Sequence, residues 1–244
     1  MLGSGPQIAA LERVEIALTP WRWEFAHGRA DEIARHFAAR RRQQPSLWNG
    51  RVLLVHRHAV DDGVLRGACF ETDYASFLAW RDWGCPDTGV SNVFAAAALQ
   101  AADGAYVIGR MAAHTSIPSQ WLFPCGTPDP NDVTAGMLDL AGSARRELSE
   151  ETGLRIDSMQ AEAGWTMVRD KGFLALIKRV VAAENADELC ARIMSFLARE
   201  ARSEFSEIRI VRGVADIDVD MPRFLRAYLA AAWSSPTRAS VAAG

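Results

Sequence analysis

Three glutamates spaced for one helix face provide the strongest chemical signal in this chain. Glu147, Glu150 and Glu151 stand at positions i, i+3 and i+4, shortly before Gly153. Side chains at these spacings lie on the same face of an α-helix, where like charges repel one another. A divalent cation held among the three carboxylates would remove the repulsion and form a hard, oxygen-ligated site. Such a site can polarise phosphate oxygens and activate water.

The residues around the glutamates predict the helix that must position them. Asp139 is a good N-cap, because its carboxylate can accept hydrogen bonds from the free N–H groups of the first turn. Leu140, Ala144 and Leu148 recur at i, i+4 and i+8 and predict the stripe that faces the core. Gly153 suits the left-handed position that ends a helix.

The same region resembles a known family motif. The string Arg146-Glu147-Leu148-Ser149-Glu150-Glu151-Thr152-Gly153-Leu154 is similar to the core of the Nudix box, Arg-Glu-(apolar)-x-Glu-Glu-x-Gly-(apolar). Glu150-Glu151 alone would favour a solvated acidic surface, but a nine-residue match is far more specific. The resemblance implies hydrolysis of a nucleoside diphosphate linked to another moiety, with Mg²⁺ or Mn²⁺ bound by Glu147, Glu150 and Glu151. It also implies that Arg146 orients a glutamate.

The upstream part of the box departs from the family pattern. Counting back from Arg146, the position of the family's glutamate holds Leu138 and that of its glycine holds Asp132. We therefore expect the salt bridge that orients the box arginine to be missing, with Asp139 as a partial substitute if the loop register shifts. Gly126, after a strand-like segment, is expected to stand where the family's strand breaks into the loop.

A further carboxylate is expected from a later loop, as the family often adds one as metal ligand or general base. Glu200, Glu204 and Glu207 flank the loop before the last predicted strand. Glu204 is our choice, because it lies outside the predicted helix and can turn toward the box. The alternative for each of the three is a plain surface residue. His114 is expected near the entrance of the site.

The remaining pattern predicts an α/β fold, a Nudix-type α/β/α sandwich around a mixed sheet with an N-terminal extension. Strands and helices mix without strict βαβ alternation. The predicted strands are residues 14–19, 51–58, 64–70, 93–100, 106–111, 159–169, 173–182 and 208–212. The predicted helices, besides the one that carries the glutamates, are residues 29–42, 74–83, 187–202 and 222–233.

Three regions are expected along the chain. Residues 1–90 form an N-terminal region that selects the substrate, residues 91–234 the Nudix hydrolase domain, and residues 235–244 a disordered tail. The first region resembles that of a Nudix subgroup acting on nucleotide sugars, on the strength of Asn49-Gly50 and Thr72-Asp73-Tyr74. Short Asn-Gly motifs are also common turns in any fold.

Tryptophans and arginines in this N-terminal region leave two interpretations open. Trp48, Trp80 and Trp83 either stack on a base or fill a core. The run Arg40-Arg41-Arg42 either contacts phosphate or covers a solvated helix face, and the latter is the more common role.

Composition excludes several classes of protein. A net charge of −3 and the lack of a basic stripe argue against a nucleic-acid partner. No apolar run approaches the roughly 20 residues that cross a bilayer, so no membrane partner is expected. Four scattered cysteines without CxxC spacing, and a start unlike a signal peptide, predict a cytoplasmic protein with reduced thiols.

These features together predict a metal-dependent diphosphate hydrolase acting on a small nucleoside diphosphate derivative, with a homodimer as a possible assembly. Two alternatives come from other classes of protein. A non-catalytic Nudix-fold module would bind a nucleotide metabolite without cleaving it, and Leu138 is the best support for that alternative. An interaction protein would use the N-terminal half as its working surface. The intact set of three glutamates favours the enzyme.

Overall fold

The computed structural model describes residues 5–234, which form two β-sheets and six helices. The strands are β1 (Gln7–Leu11), β2 (Arg13–Leu18), β3 (Arg51–Asp61), β4 (Val64–Asp73), β5 (Asn92–Gln100), β6 (Tyr106–Met111), β7 (Trp121–Leu122), β8 (Cys125–Gly126), β9 (Val133–Thr134), β10 (Met137–Leu138), β11 (Gln160–Ala161), β12 (Trp165–Asp170), β13 (Phe173–Val181) and β14 (Phe205–Val211). The helices are α1 (Glu24–Gly28), α2 (Ala30–Gln43), α3 (Tyr74–Asp82), α4 (Leu140–Thr152), α5 (Ala186–Leu197) and α6 (Arg223–Ser234). The predicted tail, residues 235–244, lies outside the described residues.

The larger sheet is mixed and has helices on both faces, as the sequence predicts. Its strands follow the order β1-β12-β13-β5-β6-β14, and β13 and β5 are its parallel pair. Alternate residues of the central strand β5 face opposite sides. Ala97 and Leu99 pack in one cluster with α4 and α5, whereas Ala96 and Ala98 pack in another with α6. Helix α4 therefore lies directly over the middle of the sheet.

A second sheet, which the sequence pattern did not reveal, has the order β3-β4-β2-β10-β9. Strands cross the predicted boundary at residue 90 in both directions. Strand β1 pairs antiparallel with β12 in the larger sheet, from Gln7↔Arg169 to Leu11↔Trp165. Strands β9 and β10, from just before α4, extend the N-terminal sheet through Met137↔Ala17. Each of the two sheets therefore contains strands from both sides of residue 90. The two pairings use β10, which precedes α4 in the chain, and β12, which follows it.

Two element boundaries near the site differ from the sequence prediction. Helix α5 ends at Leu197 rather than near residue 202, and β14 begins at Phe205 rather than at Ile208. The strand starts early because the Phe205 ring packs on Gly109, where an added Cβ would lie 2.3 Å from the ring. A register shift follows directly after Phe205. Glu204 consequently stands in the turn that leads into β14, outside any helix.

None of the helices within residues 5–234 combines the length and the apolar character needed to cross a membrane.

A buried ammonium group fixes the irregular chain between β11 and β12. The Lys178 Nζ donates hydrogen bonds to the carbonyl oxygens of Glu162 (3.1 Å), Ala163 (3.1 Å) and Gly164 (2.8 Å). It also lies 4.1 Å from the centre of the Trp165 ring. All three donors of the ammonium group are thus used, and the residue is buried. We assign Lys178 a structural role.

Replacing Lys178 with methionine is expected to lower the free energy of unfolding by about 2 kcal/mol, because three partly buried carbonyl groups lose a charged donor. Urea denaturation measures the change. Lys171, the other lysine of the chain, is exposed and provides the matched control. Lys171→Met should change the stability by less than about 0.5 kcal/mol. Equal losses in the two variants would contradict the structural role of Lys178.

Candidate functional site

Helix α4 is formed as the sequence predicts. The Asp139 carboxylate accepts a hydrogen bond from the Gly142 N–H at 2.8 Å, and Gly153 ends the helix with a φ of 70°. Ala144 and Leu148 are fully buried against the larger sheet. These contacts fix the rotation of α4 and hence the direction in which its glutamates project.

The three glutamates of α4 occupy very different environments. Glu151 is 2% exposed, and its Oε2 accepts a hydrogen bond from the Cys125 N–H at 3.1 Å. The Glu147 side chain is 12% exposed, whereas that of Glu150 is 60% exposed. A Cβ added to Gly126 would lie 2.3 Å from Glu147 Oε1. A side chain at residue 126 would displace the Glu147 carboxylate, so the backbone of β8 lies directly against the two inner carboxylates.

Burial and mutual repulsion disfavour the charged forms of these carboxylates. Burial raises the pKa of Glu147 to about 7, with Arg146 opposing the shift and Glu150 and Glu204 adding to it. Burial also raises the pKa of Glu151 well above its usual range, and the charges of Glu147 and Glu204 raise it further. A cation placed among them would favour the ionised forms. Their oxygen donors suit Mg²⁺ or Mn²⁺.

Arg146 is held by an acidic residue that the sequence analysis did not assign. Its Nη2 donates to both carboxylate oxygens of Asp132 at 3.0 Å, and Asp132 is buried. Its Nη1 contacts Glu147 Oε1 at 2.9 Å and Glu150 Oε2 at 3.4 Å. The expectation that the orienting salt bridge is missing was therefore wrong. Asp132 and Glu147 thus hold the guanidinium group through different nitrogens, which fixes its orientation.

Leu138 and Asp139 do not take part in this salt bridge. Leu138 is 7% exposed and packs in the apolar cluster between the sheets, because it belongs to β10. Asp139 caps α4 and was wrongly suggested as a substitute partner of Arg146.

The loop before α4 places Asp132 by local and long-range contacts. Residues Pro130–Asp132 form a 3-10 turn that begins at Asp129, and Asp132 Oδ2 accepts from the Asp129 N–H at 3.0 Å. The Leu53 N–H of β3 donates to the Pro128 carbonyl at 2.8 Å. The run Asp-Pro-Asn-Asp is a turn signal in the sequence. The role of Asp132 was missed because residues were counted back from Arg146 by the fixed spacing of the motif.

Within residues 5–234, no three His, Cys, Asp or Glu side chains converge closely enough to form a ready-made metal site. Glu147 and Glu150 instead each contact Arg146. Glu147, Glu151 and Glu204 nevertheless lie near enough for each to influence another's titration. The charges of these carboxylates therefore act on one another although the side chains do not converge.

The structure separates the three later carboxylates. Glu204 lines the cleft beside α4, and its backbone carbonyl accepts from the Ala112 N–H at 2.8 Å. Glu207 pairs with Arg110 on β6 at 3.0 Å. Glu200 is exposed and lies outside the cleft lining. Glu204 is therefore the one of the three that faces the box glutamates.

A cleft of about 1100 Å³ opens beside Glu147 and Glu204. The N-terminal region supplies much of its wall, including Trp48, Tyr74 and Phe77. Its cationic lining residues are Arg40, Arg81, Arg202 and Arg223, and His114 also lies along it. Arg40 and Arg81 pair with Asp82, and Arg223 pairs with Asp170. Arg202 has no acidic partner among the described residues.

The three N-terminal tryptophans have distinct roles. Trp80 is completely buried, and Trp83 packs edge-on against Phe25. Trp48, by contrast, is 80% exposed and lines the cleft. Trp80 and Trp83 thus pack within the protein, while Trp48 alone of the three presents a free ring face.

The motifs Asn49-Gly50 and Thr72-Asp73-Tyr74 meet at the start of α3. Asn49 Oδ1 accepts from the Ala75 N–H at 2.7 Å, and the Gly50 carbonyl accepts from the Tyr74 N–H at 2.8 Å. Asp73 caps the same helix through the Ser76 N–H. These residues tie the loop that carries Trp48 to the wall of the cleft.

Comparisons with known proteins find only distant likeness. No protein-family model matches the chain, and no curated protein matches it. Similar solved structures include a Nudix hydrolase from M. smegmatis, RenU, at 15% identity over 56% of this chain and 81% of that chain, with a TM-score of 0.38. A MutT protein from Methanosarcina mazei Go1 shows 15% identity over 61% of this chain and 96% of its own, with a TM-score of 0.41. At such values the function must be inferred from the chain's own residues.

Proposed function

We propose that this protein is a metal-dependent hydrolase that cleaves the phosphoanhydride of a nucleoside diphosphate linked to another moiety. The observation that carries the proposal is the buried, mutually repelling pair Glu147 and Glu151, of which Glu147 lines a large cleft. Buried carboxylates with strongly raised pKa values in a cleft are typical of functional sites. Their place in a Nudix-type sequence specifies which chemistry they serve.

Glu147, Glu150 and Glu151 would hold Mg²⁺ or Mn²⁺, which would neutralise the diphosphate and lower the pKa of a bound water. Arg146 sets the position of Glu147 through its hydrogen bond, and Asp132 fixes Arg146 in turn. Glu204, or else a box glutamate, accepts a proton from the attacking water. The Cys125 N–H holds Glu151 in place.

The cleft presents to an anionic substrate a cation that has no acidic partner among the described residues. Paired arginines keep its charge balanced, while Arg202 remains available to a phosphate group. Positioning and neutralisation of charge supply most of the rate enhancement in phosphoryl transfer. We propose a small-molecule substrate for a cytoplasmic enzyme, and the dimensions of the cleft are consistent with a ligand of this size.

The function is tested by incubating the purified protein with Mg²⁺ or Mn²⁺ and a panel of nucleotide sugars, dinucleotides and nucleoside triphosphates. Metal-dependent release of a nucleoside monophosphate or of inorganic phosphate would support the hydrolase. Ligands that raise the melting temperature without any product would instead favour the non-catalytic binding module. A chain that neither binds nor cleaves any member of the panel would contradict both.

Replacing Arg202 with alanine is expected to raise KM about ten-fold with little change in kcat, because an unpaired cation in the cleft contributes uniform binding of phosphate. Arg199→Ala is the matched control, since Arg199 is also exposed but lies outside the cleft lining. Steady-state kinetics on the best substrate of the panel measures both constants. An unchanged KM in Arg202→Ala would remove Arg202 from the binding surface.

A further inference from the structure

One wall of the cleft combines an exposed aromatic ring with two polar atoms that lack partners. The Trp48 ring is 80% exposed. Tyr74 Oη and Asn92 Oδ1 are buried, and neither has a hydrogen-bond partner among the described residues. Buried polar atoms without partners are rare, because each costs about 1–3 kcal/mol. All three residues line the same cleft as Glu147.

The wall is preorganised by the surrounding chain. The Trp48 indole packs on Gly50, where an added Cβ would lie 2.4 Å from the ring. Gly50 is in turn bonded to the start of α3 through Tyr74. The Tyr74 and Phe77 rings lie 5.9 Å apart, and the Arg81 guanidinium lies 5.7 Å from the centre of the Phe77 ring. Contacts that restrict the Trp48 loop reduce the entropy that is lost when a ligand binds.

The chemistry of the wall selects among possible occupants. A sugar ring can stack through its C–H face, but hydroxyl groups surround its whole rim, and Val52 and Phe77 offer them no partners. A heteroaromatic base has a flat apolar face and donors and acceptors only along its edge. Stacking of a base on an aromatic side chain contributes about 1–3 kcal/mol. Such a ring can stack one face on Trp48 while its edge forms hydrogen bonds with the two polar atoms.

We propose that the wall formed by Trp48, Tyr74 and Asn92 binds the nucleobase of the substrate. The base stacks on Trp48, and movement of the Tyr74 and Asn92 side chains brings their unpaired oxygens, which are buried in the free protein, to its edge. Asn92 Nδ2 donates to Thr127 Oγ1 at 3.2 Å, next to Gly126 and the glutamates. The wall therefore adjoins the place where the diphosphate would lie. This assignment deepens the proposed function and rests on it for the identity of the substrate.

The base site can be tested without catalysis, because nucleoside monophosphates contain no anhydride to cleave. Isothermal titration calorimetry compares AMP, GMP, CMP and UMP with ribose 5-phosphate, which lacks the base. We expect at least one monophosphate to bind the wild type about ten-fold more tightly than ribose 5-phosphate. Trp48→Ala should abolish that difference, whereas Trp48→Phe, which keeps a ring face, should retain most of it. The exposure of Trp48 predicts unchanged melting temperatures for both variants.

Three results of the binding experiment would overturn the base site. They are equal binding of ribose 5-phosphate and every monophosphate, no detectable binding of any monophosphate, and a Trp48-dependent preference for glucose 1-phosphate. The last would assign the wall to a sugar. Failure of the proposed function is distinguishable. Hydrolysis with an unchanged kcat/KM in Trp48→Ala would reject the base site alone, whereas base-dependent binding without any hydrolysis would reject the hydrolase alone.

Discussion

Replacing Glu151 with glutamine is expected to reduce metal-dependent hydrolysis by about a thousand-fold or more, while the variant folds at least as stably as the wild type. Glutamine preserves the shape of the side chain, and its carbonyl oxygen can still accept the hydrogen bond from the Cys125 N–H. It cannot supply the negative charge that a divalent cation requires. Turnover is measured on the best substrate of the panel, with Glu200→Gln as the control. Glu200 is exposed and lies outside the cleft.

The stability of Glu151→Gln provides a second test of the same site. Burial raises the pKa of Glu151, so the folded protein keeps a proton near neutral pH that the unfolded chain releases. Stability of the metal-free wild type should therefore fall as the pH rises above the normal range of a glutamate. Glutamine has no proton to lose. The variant should melt above the wild type at pH 8, and the difference should shrink toward pH 5.

Addition of metal should reverse that order. Mg²⁺ or Mn²⁺ is expected to raise the melting temperature of the wild type more than that of Glu151→Gln, since a cation that binds only the folded state stabilises it. Wild-type turnover in Glu151→Gln would contradict the proposed site. If Glu151→Gln melts far below the wild type at every pH, unfolding would explain its loss of activity. Glu147→Gln would then be assayed in its place.

Local sequence determined the glutamate helix, and it could be predicted closely. Capping by Asp139, the apolar stripe through Leu148 and termination at Gly153 are all encoded within one turn of the residues they affect. The choice of Glu204 used the same kind of reasoning, because a residue just outside a helix can turn toward a neighbouring site. Glu204 lines the cleft, and its role as a metal ligand or general base stays a prediction.

The rest of the site depends on contacts between residues that are far apart in the sequence, so local patterns could not predict it. Strand β1 is a five-residue, mostly exposed segment whose partner β12 lies about 150 residues later in the chain, so no local pattern marks it. Asp132 reaches Arg146 only because its loop is held against β3 of the other sheet. Trp48 and Trp80 look alike in the sequence, yet one is exposed and the other fully buried. Packing alone separates an exposed residue of the cleft from a core residue here.

Replacing Arg146 with methionine is expected to lower the free energy of unfolding by about 3 kcal/mol, because it leaves the buried Asp132 carboxylate without its charged partner. Because Arg146 is partly exposed, we expect a loss of stability at the low end of the range for broken buried ion pairs. Arg145→Met is the matched control. Arg145 pairs with Asp157 on the exposed face of α4, where an ion pair contributes less than about 1 kcal/mol. Chemical denaturation measures both variants.

A double-mutant cycle then isolates the interaction with Asp132. Asp132→Asn in the Arg146→Met background should cost much less than Asp132→Asn alone, with a coupling of about 1–3 kcal/mol. Leu138→Glu decides between Asp132 and the family's usual position for the partner. Leu138 is buried among apolar side chains, so a glutamate there should destabilise the protein and leave the Arg146–Asp132 coupling intact. A stabilising Leu138→Glu, with the coupling lost, would show that Arg146 can take its partner from residue 138 instead of from Asp132.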